Sequence, residues 1–458
     1  MTPRRPGSST SSLERSIEHA LVPGSFISYG AAFSFIRGLE EVESEIARLV
    51  TIEPGEAVGL YETFLAGCYA KSEEIDDSSG GLGEFVGELY CGWVRARQAA
   101  CADVVDTAAR LAKRMEDDPY GYCYGLEKKV ATALDAPGLD AFAAELRRRF
   151  HAASVPAPSA DGAHLRSEPG RSRRRWGDAL RALSLHQGDV AAYVALAEQM
   201  EVTAEDCDAI AGMLVAQAKA ADALSWVDRG LVLAEQSRRS ATVGADLAKL
   251  RREILGALGR GDESLSDAWT AFTHHPSTYT YGELMRYVPE RDRGAWHGRA
   301  IAAASSAELH SHLQLLLETG ELERLAALVR TTSGEDLEGV SHYATEPAAT
   351  RLEHVYPDAA ARLWGAQGFR LVNGKKSKYY DAALRSFERA RQCYQKAGLT
   401  AEWQRIVAVV RAQHRRKIGF MTGFEELVAG AGPASRPSFL ERARARWGEG
   451  SGGAGSKS

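Results

Sequence analysis

Cysteine is scarce in this 458-residue sequence, and what there is falls at irregular intervals. Cys68, Cys91, Cys101, Cys123, Cys207 and Cys393 are too few and too unevenly placed for a disulfide scaffold. No C-x-x-C or C-x-C pair occurs, and the first four lie 23, 10 and 22 residues apart, whereas structural zinc needs ligand pairs at short spacing. The histidine pairs His274-His275 and His310-x-His312 do not share a helix face. Metal ligation and cofactors are therefore not expected. No apolar run approaches the ~18 residues of a membrane-crossing helix, and mean hydropathy is -0.28. A G-x-S-x-G elbow, a G-x-x-x-x-G-K-[ST] loop and a G-x-G-x-x-G turn after a strand are also missing, so no catalytic residue is expected. Lysine is short as well, with 12 residues against 44 arginines. Together with heavy Ala and Gly use, that is the bias of a GC-rich genome, and arginine abundance alone signals no function.

What remains is the composition of a globular protein, 45% hydrophobic and 26% charged. Its length suits two or three domains of ~100–200 residues. Strand-like alternation is nearly absent, while helical spacing recurs throughout. Between residues 83 and 111, Phe85, Val86, Leu89, Trp93, Val94, Ala100, Val104, Val105, Ala108 and Leu111 recur at three- and four-residue intervals, as on the buried face of one long helix or of two. Pro23-Gly24, Pro54-Gly55 and Pro137-Gly138 fall between such runs as helix stops. An all-α fold is predicted. The first twelve residues, MTPRRPGSSTSS, have no apolar core behind their two arginines, so a disordered tail and a cytoplasmic location are expected. Residues 13–151 read as an acidic helical domain and 152–175 as a flexible linker rich in Pro, Ser, Ala and Gly. Residues 176–430 read as a second helical domain with a basic end, and 431–458 as a mobile tail.

Within the second domain a pattern recurs: a turn, an acidic residue, an Ala/Ser-Leu pair, then a helix with small residues on one face. It occurs in AKAADALSWVDRGL, GRGDESLSDAWTAF, TGELERLAALV and KYYDAALRSFERA, whose leucines Leu224, Leu265, Leu325 and Leu384 lie 41, 60 and 59 residues apart. An antiparallel helix pair buries only one side of itself, so neighbouring pairs stack, and small residues let them approach. The pattern fits an α-solenoid-like stack of helix pairs in two units joined by the linker, or a compact domain of degenerate repeats. Three further segments carry a resemblance: residues 75–122, AWTAFTHHPSTYTYGELMRYVP, and YYDAALRSFERARQCYQKAGLTAEWQRIVAVVRAQHRRKIGF. With the repeats, they resemble an uncharacterised bacterial family of tetratricopeptide-like helical-repeat proteins, a domain of unknown function. Similar C-terminal stretches occur in bacterial proteins with a SWIM-type zinc finger, whose C-x-C and C-x-H are absent here. The resemblance spans about three quarters of the chain. It implies tetratricopeptide-like helix pairs and carries no assigned activity.

Three places stand out as candidate sites. Asp76-Asp77 opens the run Ser78-Ser79-Gly80-Gly81-Leu82-Gly83, and Asp117-Asp118 precedes Pro119 and the tyrosines Tyr120, Tyr122 and Tyr124. Brought together, the four carboxylates make a cluster for Mg²⁺, Ca²⁺ or a cationic partner. Kept apart, they are helix caps and turn formers, with Ser78 or Ser79 near the cap of the next helix and Glu84 and Glu88 near its positive end.

The second candidate is basic. Arg147, Arg148 and Arg149 form one cluster, Arg171, Arg173, Arg174 and Arg175 another, and Arg411, His414, Arg415, Arg416 and Lys417 a third. Residues 361–458 hold 19 Lys+Arg against 7 Asp+Glu, a net of +12, which leaves -17 for the first 360 within the total of -5. Such polarity suits a polyanion or partner surface at the C-terminal end, with Tyr379, Tyr380, Trp403 and Phe420 spaced for stacking on bases. A solvated basic face, or docking of the acidic front on the basic back, are the alternatives. The third candidate is SFLERARARW, where a Ser438/Glu441 capping box precedes Phe439, Leu440 and Trp447 interleaved with arginines, as in a short amphipathic docking helix. The reading that results is a non-catalytic protein–protein interaction scaffold taking a peptide or protein partner. A nucleic-acid-associated protein using the basic end is the second reading, and a metal or enzymatic site at the acidic cluster the third.

Overall fold

A computed structural model describes residues 10–153, 168–236, 241–374 and 376–430. Among them are 23 helices and no strand; an isolated parallel bridge joins Ile27 and Ile75. The chain divides into two compact units, Met1–Leu258 and Gly259–Ser458. In the first lie α1 (Thr10–Ala20), α2 (Tyr29–Leu49), α3 (Pro54–Lys71), α4 (Gly81–Ala99), α5 (Val104–Glu116), α6 (Leu126–Ala133) and α7 (Ala136–Ala152), followed by α8 (Glu168–Gln187), α9 (Val190–Met200), α10 (Ala204–Ala216), α11 (Ala220–Gln236) and α12 (Ala241–Ala257). The second holds α13 (Gly261–His274), α14 (Thr278–Tyr287), α15 (Arg293–Ala303), α16 (Leu309–Glu318), α17 (Leu322–Thr331) and α18 (Gly334–Gly339). It continues with α19 (His342–Leu352), α20 (Pro357–Asn373), α21 (Tyr380–Lys396), α22 (Thr400–His414) and α23 (Ile418–Val428).

Side-chain caps set many of the helix starts. Asp103 accepts the Val105 and Asp106 N–H groups at α5, and Asp135 accepts that of Gly138 at α7. Thr203 with Asp206 at α10, and Ser277 with Thr280 at α14, form reciprocal capping boxes. The acidic residue of the recurring pattern falls in the first turn of α11, α13, α17 and α21, as Asp222, Asp262, Glu323 and Asp381, where the helix dipole favours negative charge. Its leucine then turns inward. Leu224 and Leu325 are buried, and Leu265 and Leu384 pack against the core of the second unit.

Within each unit a helix meets its successor and often the next but one. α10 packs on α11 and α12, and α21 packs on α20, α22 and α23. Pairs also stack, α16 against α19 and α17 against α20. Within each unit the fold is all-α, with helix pairs stacked on their neighbours in the manner of an α-solenoid. Glycine permits the closest approaches: a Cβ on Gly92 of α4 would lie 2.4 Å from the Tyr61 ring of α3, and one on Gly368 of α20 2.9 Å from the Phe387 ring of α21. Both rings are fully buried. No helix among the described residues is long and apolar enough to cross a membrane.

The expected linker is where the structure departs from the sequence reading. Residues 168–175 open helix α8 instead. The Arg173 guanidinium lies 3.9 Å from the Phe150 ring centre and donates to the Phe150 carbonyl, while Arg149 lies 5.2 Å over Trp176. Trp176, Leu180 and Leu183 then join the same core as Phe142, Leu146 and Phe150. Arginine–aromatic stacking and shared burial weld α7 to α8, and the compact units divide after Leu258. Thr10, Ser11 and Ser12, expected in a tail, begin α1. The remaining linker residues 154–167 and both chain ends, 1–9 and 431–458, lie outside the described residues.

Gly92→Ala is expected to destabilise the protein by about 1–3 kcal/mol, because the added methyl must displace the Tyr61 ring. Gly38→Ala on α2, where nothing lies within 4 Å, is expected to stabilise by about 0.5–1 kcal/mol. Urea unfolding followed by circular dichroism reads both; an unchanged Gly92→Ala midpoint would mean that the α3–α4 approach is not tight.

Candidate interaction site

The last residue of α3 organises one end of the first unit. Lys71 is buried, yet its ammonium is fully employed: it donates to the Val22 carbonyl at 2.8 Å, the Ser25 carbonyl at 3.4 Å and Glu74 Oε2 at 2.5 Å. Glu74 in turn accepts the Gly24 N–H on both oxygens, at 3.1 and 3.0 Å. The Ile27 N–H donates to the Glu74 carbonyl at 2.7 Å, and the Asp76 N–H to the Ile27 carbonyl at 2.9 Å. A buried ammonium is tolerated only when so partnered. Hydrogen bonds from Lys71 and Gly24 hold the Glu74 carboxyl below the usual glutamate range. Loop 22–28 is thus clasped onto the end of α3. It displays Val22 and Phe26 in solvent, and the first turns of α2 display Tyr29 and Phe33, whose rings meet edge to face at 5.9 Å.

The four aspartates singled out by sequence do not converge. Asp76 accepts from the Ser78 hydroxyl and from its N–H at 3.2 Å, which together hold its carboxyl below the usual aspartate range. Asp77 accepts the N–H groups of Leu82 at 2.8 Å and Gly83 at 3.2 Å. Capping of α4 therefore falls to Asp77 rather than to Ser78 or Ser79. The left-handed Gly80, at φ +73, turns the chain so that this carboxylate overhangs the free amides. Asp118 accepts from the Tyr69 hydroxyl at 3.2 Å and the Cys123 N–H at 2.7 Å. Asp117 ends α5 as an exposed C-cap and lines a separate recess with Arg110, Lys113 and Arg114. Among the described residues no group of three or more His, Cys, Asp or Glu is placed to hold a metal ion. The carboxylate cluster open to the sequence is not formed, because helix ends and turns take these acids as acceptors.

The two loops nevertheless face one another. Asp77 and Glu84 on one side, and Tyr120, Tyr122, Tyr124 and Lys129 on the other, line a cavity of about 300 Å³. Tyr122 stands edge-on to Tyr69 at 5.4 Å and stacks with Tyr120 at 5.7 Å. Burial pushes the Tyr69 and Tyr122 phenols up, so they stay protonated as donors. Lys129 bridges Glu84 at 2.5 Å and Glu88 at 3.1 Å. Tyr124, at the rim, is 97% exposed. This is an aromatic recess of mildly acidic character.

The C-terminal basic cluster is largely consumed by the fold. Arg411 forms a two-pronged pair with Glu425 at 2.9 and 2.6 Å. His414 is buried against Phe420, and burial followed by the Lys417 charge lowers its pKa. Lys417 donates to the Val372 carbonyl at the end of α20. Arg415 and Arg416 alone of the five reach solvent without a polar contact on another side chain or carbonyl among the described residues. The aromatics expected to stack on bases are elsewhere: Trp403 and Phe420 are buried in the core and Tyr380 packs against it, leaving Tyr379 exposed. Apolar periodicity, not charge interleaving, decided their place. Phe439, Leu440 and Trp447 lie outside the described residues.

Sequence reasoning missed the Lys71–Glu74 clasp, since a lysine in the last helical turn reads as a solvated partner of the helix dipole. It also missed a chain in the second unit, where the Tyr281 hydroxyl lies 2.8 Å from His297 Nδ1 and His297 Nε2 lies 2.9 Å from Glu321. That chain ties α14 and α15 to the turn before α17. The exposed aromatics did leave a signal: Tyr29 and Phe33 fall off the buried stripe Ala32, Ile36, Leu39, Ile46 and Leu49.

Glu74→Gln is expected to speed chymotryptic cleavage after Phe26 at pH 7. In the wild type, protection of the Gly24 and Ile27 amides in hydrogen exchange, corrected for intrinsic rates, is expected to fall once the pH drops below the ordinary glutamate range. The sign follows from the lowered Glu74 pKa. Its bonds stabilise the fold above the unfolded-state pKa and are lost as pH drops through the folded one. Protection independent of pH would remove the clasp from the account.

The family of unknown function DUF6880 matches residues 13–422. No curated protein matches the chain. Among solved structures, Naa15/Naa10 bound to HypK-THB is similar at 10% identity, covering 97% of this chain and 74% of that one, with a TM-score of 0.27. A circular tandem repeat protein with novel repeat topology and enhanced subunit contact surfaces is similar at 14% identity, covering 96% and 94%, with a TM-score of 0.18. With its match running from the first helix into the last, the chain belongs to the DUF6880 family of unknown function.

Proposed function

We propose that the protein is a non-catalytic scaffold for protein–protein interaction. The observation that carries this reading is the exposure of large aromatic side chains on backbone that is itself held: Phe26, Tyr29 and Phe33 on the clasped loop and α2, and Tyr124 beside the stacked tyrosines. Folding leaves such groups in water at a cost that a partner's apolar surface removes. The titratable groups point the same way. Asp77, Asp118 and Arg411 act as caps and ion pairs. Burial pushes the Cys91, Cys123, Cys207 and Cys393 thiols up to about 11 and that of Cys68 to about 12, so none of the five is a ready nucleophile.

Affinity purification of the tagged full chain is expected to recover a protein in stoichiometric amount. Tyr124→Ser, or Phe26→Ser with Phe33→Ser, is expected to lower that recovery at least tenfold without changing the melting temperature, since these side chains are exposed. Recovery of no stoichiometric protein by the wild type would overturn the proposal.

A further inference from the structure

The exposed aromatics of loop 22–28 and α2 sit in the most acidic part of the chain. Residues 13–90 carry 15 Asp+Glu against 4 Lys+Arg, a net of -11. One of those four cations, Lys71, is buried in the clasp. On α2, helical spacing puts Tyr29, Phe33, Glu40, Glu41 and Glu45 on the side away from the buried stripe, with Arg37 between the rings and the acids; all six are exposed. Phe26, three residues before Tyr29 in the clasped loop, is exposed as well, at 68% against 51% for Tyr29 and 58% for Phe33. The surface therefore runs from an aromatic end to an acidic end along one helix. From Tyr29 to Glu45 it is about 24 Å long at 1.5 Å per residue.

We propose that this face docks a basic amphipathic helix of a partner protein, its apolar side on Phe26, Tyr29 and Phe33 and its cations on Glu40, Glu41 and Glu45. This rests on the scaffold reading and specifies the partner's chemistry. Charge selects the occupant. A second copy would bring Glu40, Glu41 and Glu45 against the same acids within a segment already of net charge -11, and nucleic acid or an anionic lipid surface would meet the same repulsion. A basic helix meets complementary charge. The clasp contributes pre-organisation: with Lys71 holding the Val22 and Ser25 carbonyls and Glu74 the Gly24 amide, Phe26 is displayed without further ordering on binding.

The test uses the full chain and two fluorescein-labelled 14-residue peptides with leucine along one helical face, one bearing lysine on the other face and one glutamate. Fluorescence anisotropy is expected to show binding of the lysine peptide, weakening steeply with salt, and none of the glutamate peptide. Phe26→Ser with Phe33→Ser is expected to weaken the lysine peptide at least tenfold at every salt concentration. Glu40→Lys with Glu41→Lys is expected to weaken it and to flatten the salt dependence. Circular dichroism confirms that both variants fold. Absence of lysine-peptide binding, equal affinity for the two peptides, or unchanged affinity in both variants would overturn the inference. So would a dimer in light scattering that Phe26→Ser with Phe33→Ser dissolves, which would make a second copy the occupant. A partner recovered by affinity purification and retained by both variants sinks this docking face while leaving the scaffold reading standing. Peptide binding that both variants weaken, with no protein recovered, supports the face and sinks the scaffold reading alone.

Discussion

The Tyr61 ring occupies the space where a side chain on Gly92 would stand, and much of the first unit depends on that approach. Close packing makes such a contact two-sided: α4 must present no side chain there, and α3 must present a large one. The Tyr61 hydroxyl then reaches Glu43 on α2 at 2.8 Å, so the same ring aligns a third helix. With α2, α3 and α4 aligned, the chain segments at their ends are brought within bonding reach. That is where Lys71 meets loop 22–28 and where Asp77 meets the first amides of α4. Gly368 and Phe387 play the same parts in the second unit, where Phe387 also contacts Phe424 at 5.4 Å and Phe420 at 6.2 Å.

Charge is used mainly as local stitching on this frame. Asp206 is buried and accepts from Arg181, the Tyr193 hydroxyl and the Thr203 N–H at 3.0, 3.1 and 3.0 Å, which joins the three consecutive helices α8, α9 and α10. Arg330 and Asp358 make a two-pronged pair at 2.6 and 2.9 Å between α17 and α20. Pairs as exposed as Arg411–Glu425 contribute little to stability, because water screens them. Their consequence for function is larger than for stability, because a cation engaged in a pair is withdrawn from any partner. Residues 13–90 differ in having few cations to neutralise their acids, and it is there that Phe26, Tyr29 and Phe33 also stand uncovered.

Much of the helical framework was legible in the sequence. The three- and four-residue apolar spacing marked α4 and α5, and the acid-then-leucine pattern marked the starts of α11, α13, α17 and α21, because dipole and core burial are local requirements. The weld of α7 to α8 was not legible. Arg149, Arg173 and Trp176 bracket a stretch rich in Pro, Ser, Ala and Gly, and stacking between residues more than twenty apart has no periodic signature. The candidate site was legible in part. Asp77 and the three tyrosines do face one cavity, but whether an aspartate serves a metal or a helix end depends on where the amides nearby point.

Sequence by itself determined that the regular structure is helical, where many helices begin and that charge is unevenly distributed, since propensity, capping and composition act within a few residues. Only the tertiary structure decided which charges remain available and which aromatic rings stay in water. Trp403 and Phe420, interleaved with arginines in the sequence, went to the core, while Phe26 and Phe33 stayed outside it. Burial is settled by what lies across from a residue in space, and that neighbour is set by helix packing rather than by position in the chain.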